Sequence, residues 1–278
     1  MIILDGKKVK EEMLKQLKEK LLLVNRPLGL TVIQVGNNSS SNVYVKQKEK
    51  MANYLNYNFK HLKLASNIKE TELLNIIELE NNNDLVDGII VQLPLPKHLN
   101  PSIIQNKILP QKDIDGLTNL NSGKLVSNSD CLIPCTPLGI LDILNYYHIT
   151  ITGKHVVIVG RSSLVGKPLL NLMLNNNATV TICHSKTTNL KDITNLADIL
   201  IVAIGKKHFI TSDMVKDNAV VIDVGINSEN EKLYGDVDFD NVKDKCSYIT
   251  PVPGGVGQMT VLEVGYNVYK AYQLKKKK

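Results

Sequence analysis

The chain has 278 residues, 43% of them hydrophobic, with 33 basic and 27 acidic side chains and a formal charge of +6. That length allows one large domain or two ordinary ones, each with a real core. No apolar run approaches the roughly 18 residues of a membrane span, and setting aside the lysine tail 275–278 leaves a charge of only +2, little for a nucleic-acid binder.

The start, MIILDGKKVK, lacks the basic-then-apolar order of a secretory signal, so a cytoplasmic location is the expectation. Cys131, Cys135, Cys183 and Cys246 do not complete a zinc set and are expected as reduced thiols. Only Arg26 and Arg161 are arginine, so each is a candidate for a role that needs a planar fork.

In chain order, LGLTVIQVG (28–36) reads as a buried strand. The segment after it, through Leu55, reads as a helix with Val43, Gln47, Met51 and Leu55 along its apolar stripe. YNFKHLKL (57–64) alternates like a strand, TELLNIIELE (71–80) is helical, and DGIIVQL (87–93) is again a buried strand. Residues 94–137 read as loop. LGILDILNYY (138–147) then reads as a helix entered through Thr136-Pro137. A second series follows: strands at 154–160, 178–185, 198–205 and 218–225, a helix over 167–174, and a last helix over 258–274. Strands alternating with helices imply an α/β protein with parallel sheets. Two domains are expected: 1–138 with 258–278, the last helix returning to the first domain, and 139–257.

VVIVGRSSLVGKPLL is strand, glycine turn and helix, the setting in which a helix N-terminus meets a phosphate. The turn has serine where G-x-G-x-x-G has its second glycine, and an ordinary tight turn is the competing reading. The next strand ends in Cys183-His184-Ser185-Lys186, without the acidic residue that accepts from the ribose of NAD. With Arg161 able to grip phosphate and Ser185 able to donate, NADP is favoured. His184 reads as a satisfied residue at a strand end.

In the first half, Ser41, Tyr44 and Lys48 are spaced i, i+3 and i+7 on one helix face, with Lys46 and Lys50 elsewhere. A ring with an amine one turn away suits a flat polar heterocycle. Gln92 closes the run Ile89-Ile90-Val91, where α/β folds bind ligands, and Asp113 and Asp115 lie in KDIDG. Taken singly, Gln92 reads equally as a strand end and Asp115 as a turn residue beside Gly116.

Together the segments SNVYVKQK, DGIIVQLPLP, KDIDG, CTP, VGRSSLVGKP, CHSKT and TPVPGGVGQMT resemble, in this order, the methylenetetrahydrofolate dehydrogenase/cyclohydrolase family over nearly the whole chain. One departure is Gln258, where the family usually has proline. The resemblance implies an N-terminal α/β catalytic domain and a Rossmann-type dinucleotide-binding domain. It implies oxidation of 5,10-methylenetetrahydrofolate by NADP and hydrolysis of the methenyl product to 10-formyltetrahydrofolate. It further implies Lys48 as the key amine, Gln92 as its partner, Tyr44 as the stacking ring and Asp115 as the acceptor for the pterin edge. Ser41, Pro253, Gly254 and Gly255 would contact substrate, with Cys135-Thr136-Pro137 lining the cleft. Gly160, Arg161, Ser162, Ser185 and the backbone near Ile226 would hold the cofactor. A homodimer is implied as well. On that resemblance the Lys48 amine would serve as a base in the hydrolysis. Rival readings are a dehydrogenase lacking the hydrolase and a non-catalytic NADP-binding protein.

Overall fold

A computed structural model describes residues 1–276. In chain order the elements are β1 (Ile2–Ile3), α1 (Gly6–Leu21), β2 (Gly29–Val35), α2 (Ser39–Tyr54), β3 (Asn58–Leu64), α3 (Glu70–Asn82), β4 (Gly88–Val91), α4 (Pro101–Lys107), α5 (Asn119–Val126), α6 (Cys135–Tyr146), β5 (His155–Val159), α7 (Gly166–Asn175), β6 (Thr179–Cys183), α8 (Leu190–Thr194), β7 (Ile199–Val202), β8 (Val220–Asp223), β9 (Asn227–Glu229), β10 (Lys232–Tyr234), α9 (Phe239–Val242), β11 (Tyr248–Ile249) and α10 (Val256–Lys276). The chain divides into two compact units, one of residues 13–135 with 261–278 and the other of residues 1–12 with 136–260.

The first unit is built on a parallel sheet in the order β3-β2-β4. β2 and β4 are buried along their whole length, as strands covered on both faces must be. Side chains of β2 alternate between two cores. Leu30 and Val32 pack with Met51 of α2 and with Val264 and Val268 of α10, whereas Ile33 and Val35 pack with Leu73 and Ile77 of α3. The C-terminal helix therefore covers one face of this sheet, as expected. Ile89 bridges Asp113 in parallel, so the KDIDG segment runs beside β4 rather than forming only a turn.

The second unit holds a parallel sheet in the order β1-β11-β8-β7-β5-β6. Read from β5, the chain steps outward to β6 and then returns to β7 on the other side. The order reverses between β5 and β7, the topological switch point where such sheets take ligands. Ile2–Ile3 pairs with Tyr248–Ile249, so residues 1–12 pack with this unit.

Two expectations are corrected. Residues 94–137 contain α4 and α5; Asn100 caps α4 ahead of Pro101, and Thr118 caps α5. On α2 the stripe through Val43 and Gln47 is not the packed face. Val43 is 55% exposed, and the buried residues are Ser41, Val45, Lys48, Met51 and Ala52. In the tail, the Lys275 Nζ donates to the Asp84 carbonyl at 2.9 Å; Lys277 and Lys278 lie outside the described residues.

Candidate active site

In the first unit the sheet order reverses between β2 and β4, and the candidate residues collect at the carboxyl ends of those strands. α2 leaves the end of β2 after Gly36, at φ +78°. Its N-terminus is fixed by Asn38, whose side-chain oxygen accepts from the Ser41 amide at 3.0 Å. A polar chain braces the same end: the Gln34 amide donates to Asn42 at 2.8 Å, and a ring nitrogen of His61 lies 3.0 Å from the Gln34 Oε1.

Two turns into α2, the Lys48 Nζ donates to the Gln92 Oε1 at 2.9 Å, and Lys48 is only 6% exposed. Gln92 follows β4, and its Nε2 donates to the Leu93 carbonyl at 2.8 Å. That second bond fixes which face of the amide turns to the lysine, since only the oxygen can accept from an ammonium. Ser41 is buried and donates to the same Leu93 carbonyl at 3.3 Å. Tyr44 is half-buried on the same face, while Lys46 and Lys50 are exposed.

Asp115 is half-buried beside Cys135, whose Sγ lies 3.9 Å from its carboxylate. Burial pushes the Cys135 thiol well above its ordinary range, so it is an uncharged neighbour. Asp113 has a different task. It is fully buried and accepts from the Thr118 amide and the Asn121 side chain, holding the loop in shape. Asn267 is a site residue the sequence reading missed. From α10 its Nδ2 donates to the Ile114 and Ile133 carbonyls, both at 2.8 Å, and so locks the backbone next to Asp115. The signal was an asparagine inside the apolar spacing Val261, Val264, Val268, Ala271.

The cofactor candidates lie in the other unit. Gly160 ends β5 at φ +130°, and a side chain there would strike the Ala203 carbonyl at the end of β7. A Cβ at Gly166 would strike the Gly160 carbonyl, so this glycine lets α7 start close under the turn. Arg161, Ser162 and Ser163 are exposed on the turn; the Ser162 hydroxyl accepts from the Val165 amide at 3.1 Å. Past β6, the His184 Nδ1 accepts from the Lys186 amide, which leaves Ser185 exposed. A phosphate-bearing dinucleotide fits this surface: two glycines clear the approach, a ten-residue helix begins at the turn, and arginine, serine and lysine stand without an acidic neighbour at the end of β6. Ile226 is 47% exposed after β8. Pro253 is exposed, and Gly254 stands at φ +112°.

Among the described residues, no cluster of three or more His, Cys, Asp or Glu is placed to hold a metal, and the four cysteines are free and buried.

One unit with an amine–amide pair at its switch point, joined in one chain to a Rossmann-type unit with a phosphate-binding turn, defines an α/β enzyme of the dinucleotide-dependent class. Family models place the chain more narrowly. Residues 4–115 match the catalytic domain of tetrahydrofolate dehydrogenase/cyclohydrolase, and residues 134–276 match its NAD(P)-binding domain. The bifunctional protein FolD of Thermodesulfovibrio yellowstonii is 50% identical over 99% of this chain and 98% of its own length. That of Clostridium novyi is 51% identical over 93% and 95%. The crystal structure of the Campylobacter jejuni methylenetetrahydrofolate dehydrogenase/cyclohydrolase is similar at a TM-score of 0.97, with 43% identity over 99% of both chains. The Trypanosoma brucei enzyme, solved with NADP cofactor and an inhibitor, is similar at 0.95, with 32% identity over 100% of this chain and 99% of that one. The chain belongs to the tetrahydrofolate dehydrogenase/cyclohydrolase family.

Proposed function

We propose that this protein oxidises 5,10-methylenetetrahydrofolate to the 5,10-methenyl compound with NADP and then hydrolyses that product to 10-formyltetrahydrofolate. The observation that carries the reading is the buried Lys48–Gln92 pair at the carboxyl ends of β2 and β4, in a chain of this family.

NADP supplies the hydride acceptor when bound. Arg161 holds its added phosphate, Ser162 and Ser185 donate to it, and the turn at Gly160 receives the pyrophosphate. Tyr44 stacks on the pterin, and Asp115 accepts from its amino-pyrimidinone edge. Ser41, Pro253, Gly254 and Gly255 complete the folate contacts. Loss of hydride leaves a cationic carbon between two nitrogens; water adds to it and gives up a proton, and one carbon–nitrogen bond then breaks as that nitrogen takes a proton, leaving the formyl group on the other. Lys48 takes up and returns the proton at its Nζ, and Gln92 holds that nitrogen in place. The same reading carries a homodimer, a cytoplasmic location, and no nucleic-acid or membrane partner. It divides the folate and cofactor contacts between residues 1–138 with 258–278 and residues 139–257.

The test is Lys48→Met. Hydrolysis of the methenyl substrate, followed by its absorbance, falls at least a hundredfold while NADP still binds. Full-rate hydrolysis in the variant refutes the role given to Lys48.

A further inference from the structure

Two buried carboxylates in the second unit have no part in the chemistry above. Asp236 is fully buried, and its oxygens accept from three consecutive amides after β7: Ile204 at 2.7 Å, Gly205 at 2.9 Å and Lys206 at 2.7 Å. They also accept from the Asn227 side chain at 3.0 Å. Consecutive N–H groups around a left-handed residue, here Gly205 at φ +63°, form an anion-binding nest. In this chain the nest is filled from within. Asp223, at the end of β8, holds the clamp in turn. It accepts from the amides of Gly225, Asp236 and Val237, each at 2.9 Å. The carboxylates press so closely that a Cβ at Gly225 would strike Asp236 and one at Gly235 would strike Asp223.

The clamp ties two loops, 203–206 after β7 and 224–227 after β8. Both leave the carboxyl edge of the sheet beside the switch point, and the second contains Ile226. We infer that Asp236 is a positioning residue for the dehydrogenase half-reaction: by filling the 204–206 nest and gripping Asn227, it fixes the two loops against which the nicotinamide end of the cofactor rests. The inference rests on the proposed NADP-dependent reading. It has a second consequence. Because the nest is already filled by a side chain, the turn at Gly160 is the phosphate cradle left open, which sets the direction in which the dinucleotide lies.

The experiment compares the wild-type chain with Asp236→Asn, which keeps the size and replaces one acceptor oxygen by a donor. Four readouts are taken: NADP affinity by calorimetry, amide hydrogen exchange along the whole cofactor-free protein, dehydrogenase kinetics, and hydrolysis of the methenyl substrate. Expected are a roughly tenfold or larger loss of NADP affinity, faster exchange confined to the two loops, and a matching fall in dehydrogenase kcat/KM. Hydrolysis stays within about twofold of wild type. Equal loss of both activities with a general rise in exchange means a fold-wide role and overturns the inference, as does unchanged NADP affinity. Should Asp236→Asn not fold, Asn227→Ala decides, since it removes a single side-chain amide, which donates to Asp236 and to the Tyr234 carbonyl. A fall in NADP affinity with hydrolysis intact supports the clamp, and no change overturns it. Failure of wild type itself to reduce NADP with the methylene substrate strikes the proposed function, while calorimetry and exchange still test the clamp.

Discussion

Lys48 is an amine enclosed on the packed side of a helix, where a lysine is ordinarily found only with a partner. Its acceptor is an uncharged amide, and that amide is oriented by the Leu93 carbonyl. Replacing Gln92 by alanine therefore removes the placement of the amine but not the amine. Hydrolysis is expected to fall by one to two orders of magnitude, roughly, with NADP affinity unchanged; hydrolysis at the wild-type rate refutes the positioning role. The spacing Ser41, Tyr44, Lys48 was legible in the sequence, but the direction of that face was not. Counting lysine and serine as outward residues sends Val43 to the core, whereas the structure leaves Val43 exposed and buries Lys48. A hydropathy pattern has no symbol for a polar side chain that meets its partner inside. Asp223 and Asp236 escaped notice for a related reason. Their partners are main-chain amides, several of them 13 to 32 positions away, and every residue type but proline carries such an amide.

Among the elements, the strands were readable because β2, β4, β5, β7 and β8 are short apolar runs bounded by turn residues. α4 and α5 were missed although Asn100-Pro101 and Thr118 are recognisable starts. Each is only two turns long, too short for a periodic stripe to stand out. α2 depends on its first turn, where Asn38 holds the Ser41 amide. Asn38→Ala is expected to cost about 1 kcal/mol in denaturant unfolding, and a loss under a few tenths shows that the cap is redundant. Arg26, one of the two arginines, uses its fork. Nη1 and Nη2 meet the two oxygens of buried Asp87 at 2.7 and 2.6 Å, and Asp87 also accepts from the Gly29 amide where β2 begins. Arg26→Lys keeps the charge and loses one of the paired bonds. A destabilisation of about 1 kcal/mol follows, read by the same melts.

For the molecule as a whole, pH and thiol chemistry give two checks. Burial pushes the Asp223 carboxyl from 3.8 up to about 6. Because the folded value is the higher one, its contribution to stability is complete below about pH 3.8 and is lost as pH rises through about 6. Between pH 4 and 7 the stability of wild type relative to Asp223→Asn should therefore decline by about 2–3 kcal/mol; a difference that stays level across this window refutes the assignment. All four thiols are buried, and burial raises Cys131, Cys135, Cys183 and Cys246 alike. An aromatic disulfide reagent at pH 8 is expected to titrate none of them quickly in native protein and all four in denaturant; rapid native reaction would mean that a thiol is reached through local opening.

The pairing of Ile2–Ile3 with Tyr248–Ile249 closes one edge of the sheet with two segments far apart in the chain. During synthesis β1 has no neighbour to bind until the chain through Ile249 has emerged. Completion of that sheet is thus postponed until β11 has been made. A nascent chain stalled before Tyr248 should leave its N-terminal residues open to proteases that spare them in the finished protein.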